Sequence, residues 1–277
     1  MSNHQAGHSV NLSSFLATHS VFTVEDLKQY MAQRGSTNQN TRKALLTYYR
    51  SRGRIISIRR GLYATIPAGH NPDTYPIDPY LVTAKLAEDA TLAYHTALEY
   101  YGKAYTSYSR FMYTSEQRAQ PLRFRDHDYV RVPVPHALRR AEKPMYGVDS
   151  HDRDGVKLRV TSYERTFVDV LDRPELSGTW EEIWRSLESI EFFDLKQVLH
   201  YVKLLGNSTT AAKVGVFLDQ HREALMVEDD ILNSLRGLIP SQPHYLNRGS
   251  RSQCRLVPGW NILVPEEILN HSWDEVL

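Results

Sequence analysis

The stretch GRIISIRRGLYATIP, Gly53 to Pro67, most constrains the fold. Two short apolar runs, Ile55 to Ile58 and Leu62 to Ile66, flank Arg59, Arg60 and Gly61. A glycine between two β-prone runs supplies the positive φ of a tight turn, so the pattern predicts a hairpin with two arginines at its tip. Three helical patterns precede it. The first is predicted from about Val10 to His19, with Leu12, Phe15 and Leu16 as its apolar stripe. In the second, Thr23 stands at the N-cap with Glu25 and Asp26 in the first turn, where carboxylates favour the positive end of the helix dipole. Leu27, Tyr30 and Met31 give that helix its buried face, and Gly35 stops it. The third is predicted from Gln39 to Arg52, ended by Gly53. At about 100° per residue, Ala44, Leu45, Tyr48 and Tyr49 share the side that should pack, while Gln39, Lys43, Thr47 and Arg50 cluster opposite. Helix, helix, helix and hairpin is the order of a winged helix-turn-helix.

The charge distribution singles out the same region. The net charge of the 277 residues is +1, but residues 1–66 hold nine lysines and arginines against two acids, and the remainder is net acidic. The two parts therefore face different partners. No acid occurs from Gln39 to Pro67. A recognition helix presents donors to base edges, a task that suits Gln39, Lys43, Thr47 and Arg50. Cations on the wing and flanking turns neutralise phosphates, a task for Arg59 and Arg60, with Arg42, Arg52 and Arg54 as further candidates. The competing reading is a solvated basic face on a winged helix that contacts only protein.

Four prolines between Pro67 and Tyr80 oppose helix and sheet, so 67–80 reads as a linker. Residues 81–160 read as mixed α/β, with helices near Leu81 to Asp89 and Tyr94 to Tyr101 and strands at Tyr108 to Thr114, Tyr129 to Val134 and Val156 to Val160. From 161 to 277 helices dominate. Thr161 to Glu164 and Thr179 to Glu182 resemble capping boxes, Asp194 caps a helix that Gly206 ends, further helices fit Thr209 to His221 and Asp229 to Arg236, and a hairpin fits Cys254 to Val264. The fold class is α+β: a winged helix-turn-helix over 1–66, then a larger mixed α/β domain over 81–277 ending in a helical region.

Catalytic patterns are sparse. The phosphate loop GxxxxGK[ST] and the nucleophile elbow GxSxG are absent. Asp152 or Asp154 with Lys157 forms a weak nuclease-like set. His95 and Glu99 stand four apart on a predicted helix, but no third ligand is spaced to complete a metal site, and Cys254 is the sole cysteine. No catalytic residue, metal or cofactor is assigned. ALEYYGKAYTSYSRFMY interleaves aromatic and basic residues; it fits a base-stacking surface or, more simply, an aromatic core under a sheet. Apolar runs are too short for a membrane span, and the polar N-terminus lacks a secretory pattern, so a cytoplasmic location is expected.

Taken together, RSRGRIISIRRGLYATIP, LAYHTALEYYGKA, VTSYERTFVDVLDRPELSGTWEEIWRSLE and RLVPGWNILVPEEILNHSWDEV resemble the AbiEi family, antitoxins of type IV toxin–antitoxin (abortive infection) systems. The resemblance implies a cytoplasmic, non-catalytic bacterial antitoxin whose winged helix represses its own operon by binding double-stranded DNA at inverted repeats, with self-association on DNA. It also implies a C-terminal domain needed to neutralise a cognate nucleotidyltransferase toxin. Lys43, Arg50, Arg59 and Arg60 match the DNA-contacting positions foremost. Glu164, Arg165, Thr166 and Asp169 match a recurring "ERT..D" stretch, which the spacing favours as an internal charge network. Arg248, Arg251 and Arg255, in an acid-free stretch, suggest a second nucleic-acid or toxin contact. The alternatives are a nuclease-like enzyme targeted by a winged helix and a stand-alone transcriptional regulator.

Overall fold

The computed structural model describes residues 12–246 and 254–270. Arg248 and Arg251 lie outside the described residues, as does the start of the first predicted helix. The chain forms two compact units, Met1–Ala90 with Ser150–Leu158, and Thr91–Asp149 with Arg159–Leu277.

The first unit contains α1 (Ser13–Thr18), β1 (Val21–Thr23), α2 (Val24–Ala32), α3 (Gln39–Ser51), β2 (Ile55–Arg59), β3 (Leu62–Thr65) and α4 (Pro79–Ala84). Thr23 and Asp26 close a reciprocal capping box, the Asp26 amide donating to Thr23 Oγ1 at 3.1 Å and the Thr23 amide to Asp26 Oδ2 at 2.7 Å. Burial pushes the Asp26 carboxyl up, but the Thr23 amide and the Lys85 ammonium at 2.9 Å outweigh it and hold the pKa below the ordinary value. Asn38 caps α3 by accepting from the Asn40 amide at 2.8 Å, and Gly53 follows at φ +64°. The hairpin β2–β3 turns at Gly61, φ +83°. β1, too short for a readable alternation, pairs antiparallel with β3 and makes the sheet order β1-β3-β2. Phe15, Phe22, Leu27, Met31, Leu46 and Ile55 form the core between helices and sheet. These helices and strands form a winged-helix-like unit.

One helix face differs from its expectation. In α3 the inward residues are Leu45, Leu46 and Tyr49 with half-buried Arg42, while Ala44 and Tyr48 are exposed. Alanine has too little surface to fix a face, and Leu46, which lies close to Gln39 and Arg50 on the helical wheel, turns the helix toward the core. The Pro-rich 67–80 stretch folds into the first unit: Pro72 lies against Gly53, and Asp78 caps α4 through the Tyr80 amide and pairs with Arg153.

The second unit is mixed α/β. Its elements are β4 (Thr91–Leu92), α5 (His95–Tyr100), β5 (Arg110–Ser115), β6 (Leu122–Phe124), β7 (His127–Pro133), α6 (His136–Arg140), β8 (Val148–Arg153) and β9 (Val156–Thr161), the last two continuing at their shared tip into the residues of the first unit. Helices follow: α7 (Tyr163–Asp172), α8 (Trp180–Glu188), α9 (Leu195–Leu205), α10 (Ser208–Gln220) and α11 (Asp229–Arg236). The chain then forms β10 (His244–Tyr245), β11 (Cys254–Val257), β12 (Ile262–Pro265) and α12 (Glu266–Leu269). The six-stranded sheet runs β6-β7-β5-β4-β9-β8. Its edge strand β8, VDSHDR, is polar and largely exposed, a composition that discourages edge-to-edge pairing. The helical core gathers around Phe167, Trp184, Phe217 and Trp260. Gly215 admits the Trp260 indole, whose atoms lie 1.9–2.4 Å from the place a Cβ would take.

Candidate nucleic-acid interface

The α3 face and the hairpin tip hold the residues singled out by charge. Gln39, Lys43, Thr47, Arg50 and Arg52 are exposed, and Arg42 is half-buried. Because Leu46 faces the core, the outward direction centres on Asn40, Lys43, Ala44, Thr47, Tyr48 and Ser51, with Gln39 and Arg50 displaced toward its edge. Tyr48, 52% exposed, therefore joins the candidate contact face, covered partly by the Arg52 guanidinium 5.4 Å from its ring centre. The period that places Leu46 inward was the available signal for Tyr48; an aromatic side chain reads as core when judged by type alone.

At the wing, the two arginines part. A bulge between Ser57 and Arg59 shifts the β2–β3 register, so both Ile55 and Ile58 are buried. Half-buried Arg59 sends Nη2 to the Leu86 carbonyl at 2.6 Å. Arg60 stays exposed at the tip and makes no side-chain hydrogen bond or ion pair with another described residue. Arg54 is likewise engaged, donating Nε to the Ile66 carbonyl at 3.0 Å. The outward cations are thus Lys43, Arg50, Arg52 and Arg60, and nothing acidic lies in the sequence between Asp26 and Asp73 to oppose them. A helix with exposed donors beside a cationic hairpin tip can meet base edges and phosphates together.

A crystal structure of the RV2827C protein from Mycobacterium tuberculosis is similar, with a TM-score of 0.60 and 18% identity, covering 94% of this chain and 92% of that one. At that identity the likeness is one of fold alone. No protein-family model matches the chain, and no curated protein does. The architecture is that of a winged-helix-like unit followed by a larger mixed α/β unit.

The other constellations singled out in the sequence take the following places. Arg165 Nε donates to Asp169 Oδ2 at 3.2 Å with side-chain exposures of 0% and 2%, Arg165 Nη1 donates to the Tyr146 carbonyl at 2.7 Å, and Tyr201 donates its hydroxyl to Asp169 Oδ1 at 2.6 Å. The "ERT..D" stretch is thereby an internal network, with Ser162 capping α7 and Thr161 bonded to Thr166. Asp152 accepts from the Gly155 amide in the β8–β9 turn, where Asp154 has φ +51°. Lys157 is exposed on β9. Arg255 lies 3.7 Å from Glu266.

His95 and Glu99 do share one face of α5, packed under the loop that carries Thr106 and Tyr108. Glu99 accepts from the Tyr108 amide at 3.1 Å, Glu182 accepts from the Thr106 amide at 3.1 Å and its hydroxyl at 2.6 Å, and His95 stacks on Tyr108 at 4.1 Å. Burial lowers the His95 pKa and outweighs the attraction of Glu182, 3.7 Å away, so the imidazole is neutral. In the Tyr-rich segment, Phe111, Met112 and Tyr113 are core and Tyr105 and Tyr108 are exposed. No group of three or more His, Cys, Asp or Glu among the described residues could hold a metal ion. Among the described residues no helix is long and apolar enough to cross a membrane.

Proposed function

We propose that this protein is a DNA-binding autorepressor and the antitoxin of a type IV toxin–antitoxin system, resembling the AbiEi family. The observation that carries the DNA-binding part is the exposed, acid-free set Lys43, Thr47, Arg50 and Arg60 on α3 and the wing tip. In this reading α3 enters the major groove, Lys43 and Thr47 meet base edges, and Arg50, Arg52 and Arg60 meet phosphates. Arg59 holds the wing to the Leu86 segment and so sets where Arg60 points. Inverted repeats would be occupied by two copies, and their occupancy would exclude polymerase. The antitoxin part rests on the family resemblance; the chain itself is assigned no catalysis and acts in the cytoplasm on a nucleotidyltransferase toxin.

The test is electrophoretic mobility shift on the protein's own promoter across a salt series. The log–log salt slope should be several units and fall with Arg50→Ala and Arg60→Ala, because each lost phosphate contact removes roughly one unit. A folded protein that leaves the promoter unshifted at low salt would sink the repressor reading. Sequencing the neighbouring gene and co-expressing its product tests the other half: it should encode a nucleotidyltransferase whose toxicity the full chain relieves, and failure of rescue with soluble protein removes the antitoxin role.

A further inference from the structure

Within the second unit, a cavity of about 740 Å³ is lined by the start of α6, the end of α7 and the α9–α10 junction. That volume lies within the roughly 300–1,000 Å³ range of small-molecule sites and far exceeds what one inorganic anion fills. Three arginines line it, Arg139, Arg140 and Arg173. Arg139 and Arg140 are exposed and their side chains make no hydrogen bond or ion pair with another described residue; Arg173 spends only Nε, on Glu175 at 3.0 Å. The single carboxylate in the lining, Asp172, is already committed, accepting from Asn207 Nδ2 at 2.9 Å and Thr210 Oγ1 at 2.5 Å. Pro133 and Leu205 supply an apolar wall.

The second observation is Tyr94. It is 1% exposed, lines the cavity, and its hydroxyl hydrogen-bonds to no other described residue. Its backbone sits at φ +57°, ψ −135°, a conformation strained for any residue with a Cβ. Such strain persists where the surroundings impose it, and it clusters at ligand sites. Burial raises the pKa of this phenol, so the hydroxyl stays protonated and acts as a donor.

We propose that this cavity binds a phosphomonoester of a small organic molecule, its phosphate held by Arg139, Arg140 and Arg173 and its organic part lying against the apolar wall, within reach of the Tyr94 hydroxyl. Guanidinium forks match phosphate oxygens two at a time, and three of them exceed what a single carboxylate ligand would use. The site shares no residue with α3 or the wing, so its test is independent of the DNA-binding reading.

Isothermal titration of the full chain with AMP, glucose 6-phosphate and glycerol 3-phosphate tests it, with adenosine and inorganic phosphate as controls. At least one ester should bind, and at least about tenfold more tightly than adenosine and free phosphate. Arg139→Ala with Arg140→Ala, both exposed and safe for folding, should weaken that ester about tenfold or more, and Tyr94→Phe several-fold, while Arg222→Ala, outside the cavity, leaves it unchanged. Failure of all three esters, equal binding of free phosphate, or indifference to the double variant overturns the proposal. If the double variant instead weakens promoter binding and no ester binds, these arginines serve the duplex and the proposal also falls.

Discussion

Arg60 and Arg165 show how differently the two units of this chain use the same side chain. Arg60 stands at a hairpin tip in a stretch without acids, exposed and with no side-chain hydrogen bond or ion pair to another described residue. Arg165 is wholly buried, with Asp169 one helical turn away, Tyr201 bonded to that same aspartate, and the Tyr146 carbonyl taking a further N–H. Burial of a charge is tolerable only where a partner and hydrogen bonds replace water. The difference is therefore one of local supply: Arg60 finds no acceptor at the tip, whereas Arg165 finds a carboxylate and a carbonyl for Nε and Nη1 and leaves only Nη2 without a partner. Arg60 at the wing tip is available for a partner; Arg165 in that network holds the fold.

That contrast can be broken at several points. The largest effect should come from Arg165→Ala, which leaves Asp169 buried without its cation and should cost about 3–5 kcal/mol in chemical denaturation; a loss under about 1 kcal/mol would show the pair to be dispensable. Next, Gly215→Ala forces the Trp260 indole off α10 and should cost about 1–3 kcal/mol or more, read as a lowered Tm. Arg60→Ala should leave Tm unchanged within about 0.5 kcal/mol while removing roughly one unit of the salt slope on DNA, the reverse of Arg165→Ala.

The smallest effect separates two histidines of the second unit by pH. Burial holds the His95 pKa below 6.5, so the stability it contributes is complete above pH 6.5 and lost as pH falls and the unfolded chain takes up the proton. Burial also pulls His221 down, but Glu188 at 2.9 Å and the Phe217 carbonyl outweigh it and raise the pKa above 6.5. Its contribution is complete below pH 6.5 and lost as pH rises through the raised value. His95→Phe, which keeps the stack on Tyr108, should flatten the acid side of the Tm–pH curve, and His221→Ala, which also loses the stack on Phe217, should lower Tm more at pH 6 than at pH 9.

Much of this was legible in local chemistry. Thr23, Asp194 and Gly206 mark helix ends because capping depends on two or three neighbouring residues, and the observed α2 and α9 begin and end beside them. The Arg165–Asp169 pair was readable from i,i+4 spacing. What was not legible depends on distant partners. Arg59 was grouped with Arg60 by adjacency, and only a carbonyl 27 residues away and a bulge separate them. The α3 face departs from its expectation because Tyr48 counts as apolar by type, whereas the single buried Leu46 sets the orientation. β8 is too polar to read as a strand, and the Tyr94 conformation is invisible to any periodicity.

The first unit is assembled from two separate stretches, since Ser150–Leu158 at the β8–β9 tip belong with residues up to Ala90 and Arg153 pairs with Asp78. Such a module is not inherited like a bead on a string. A single genetic crossover after Ala90 would carry away the three helices and the wing but leave Arg153 behind, stranding Asp78 without its cation. Change of the exposed α3 face between relatives would therefore proceed by substitution more readily than by wholesale swapping of the winged-helix segment.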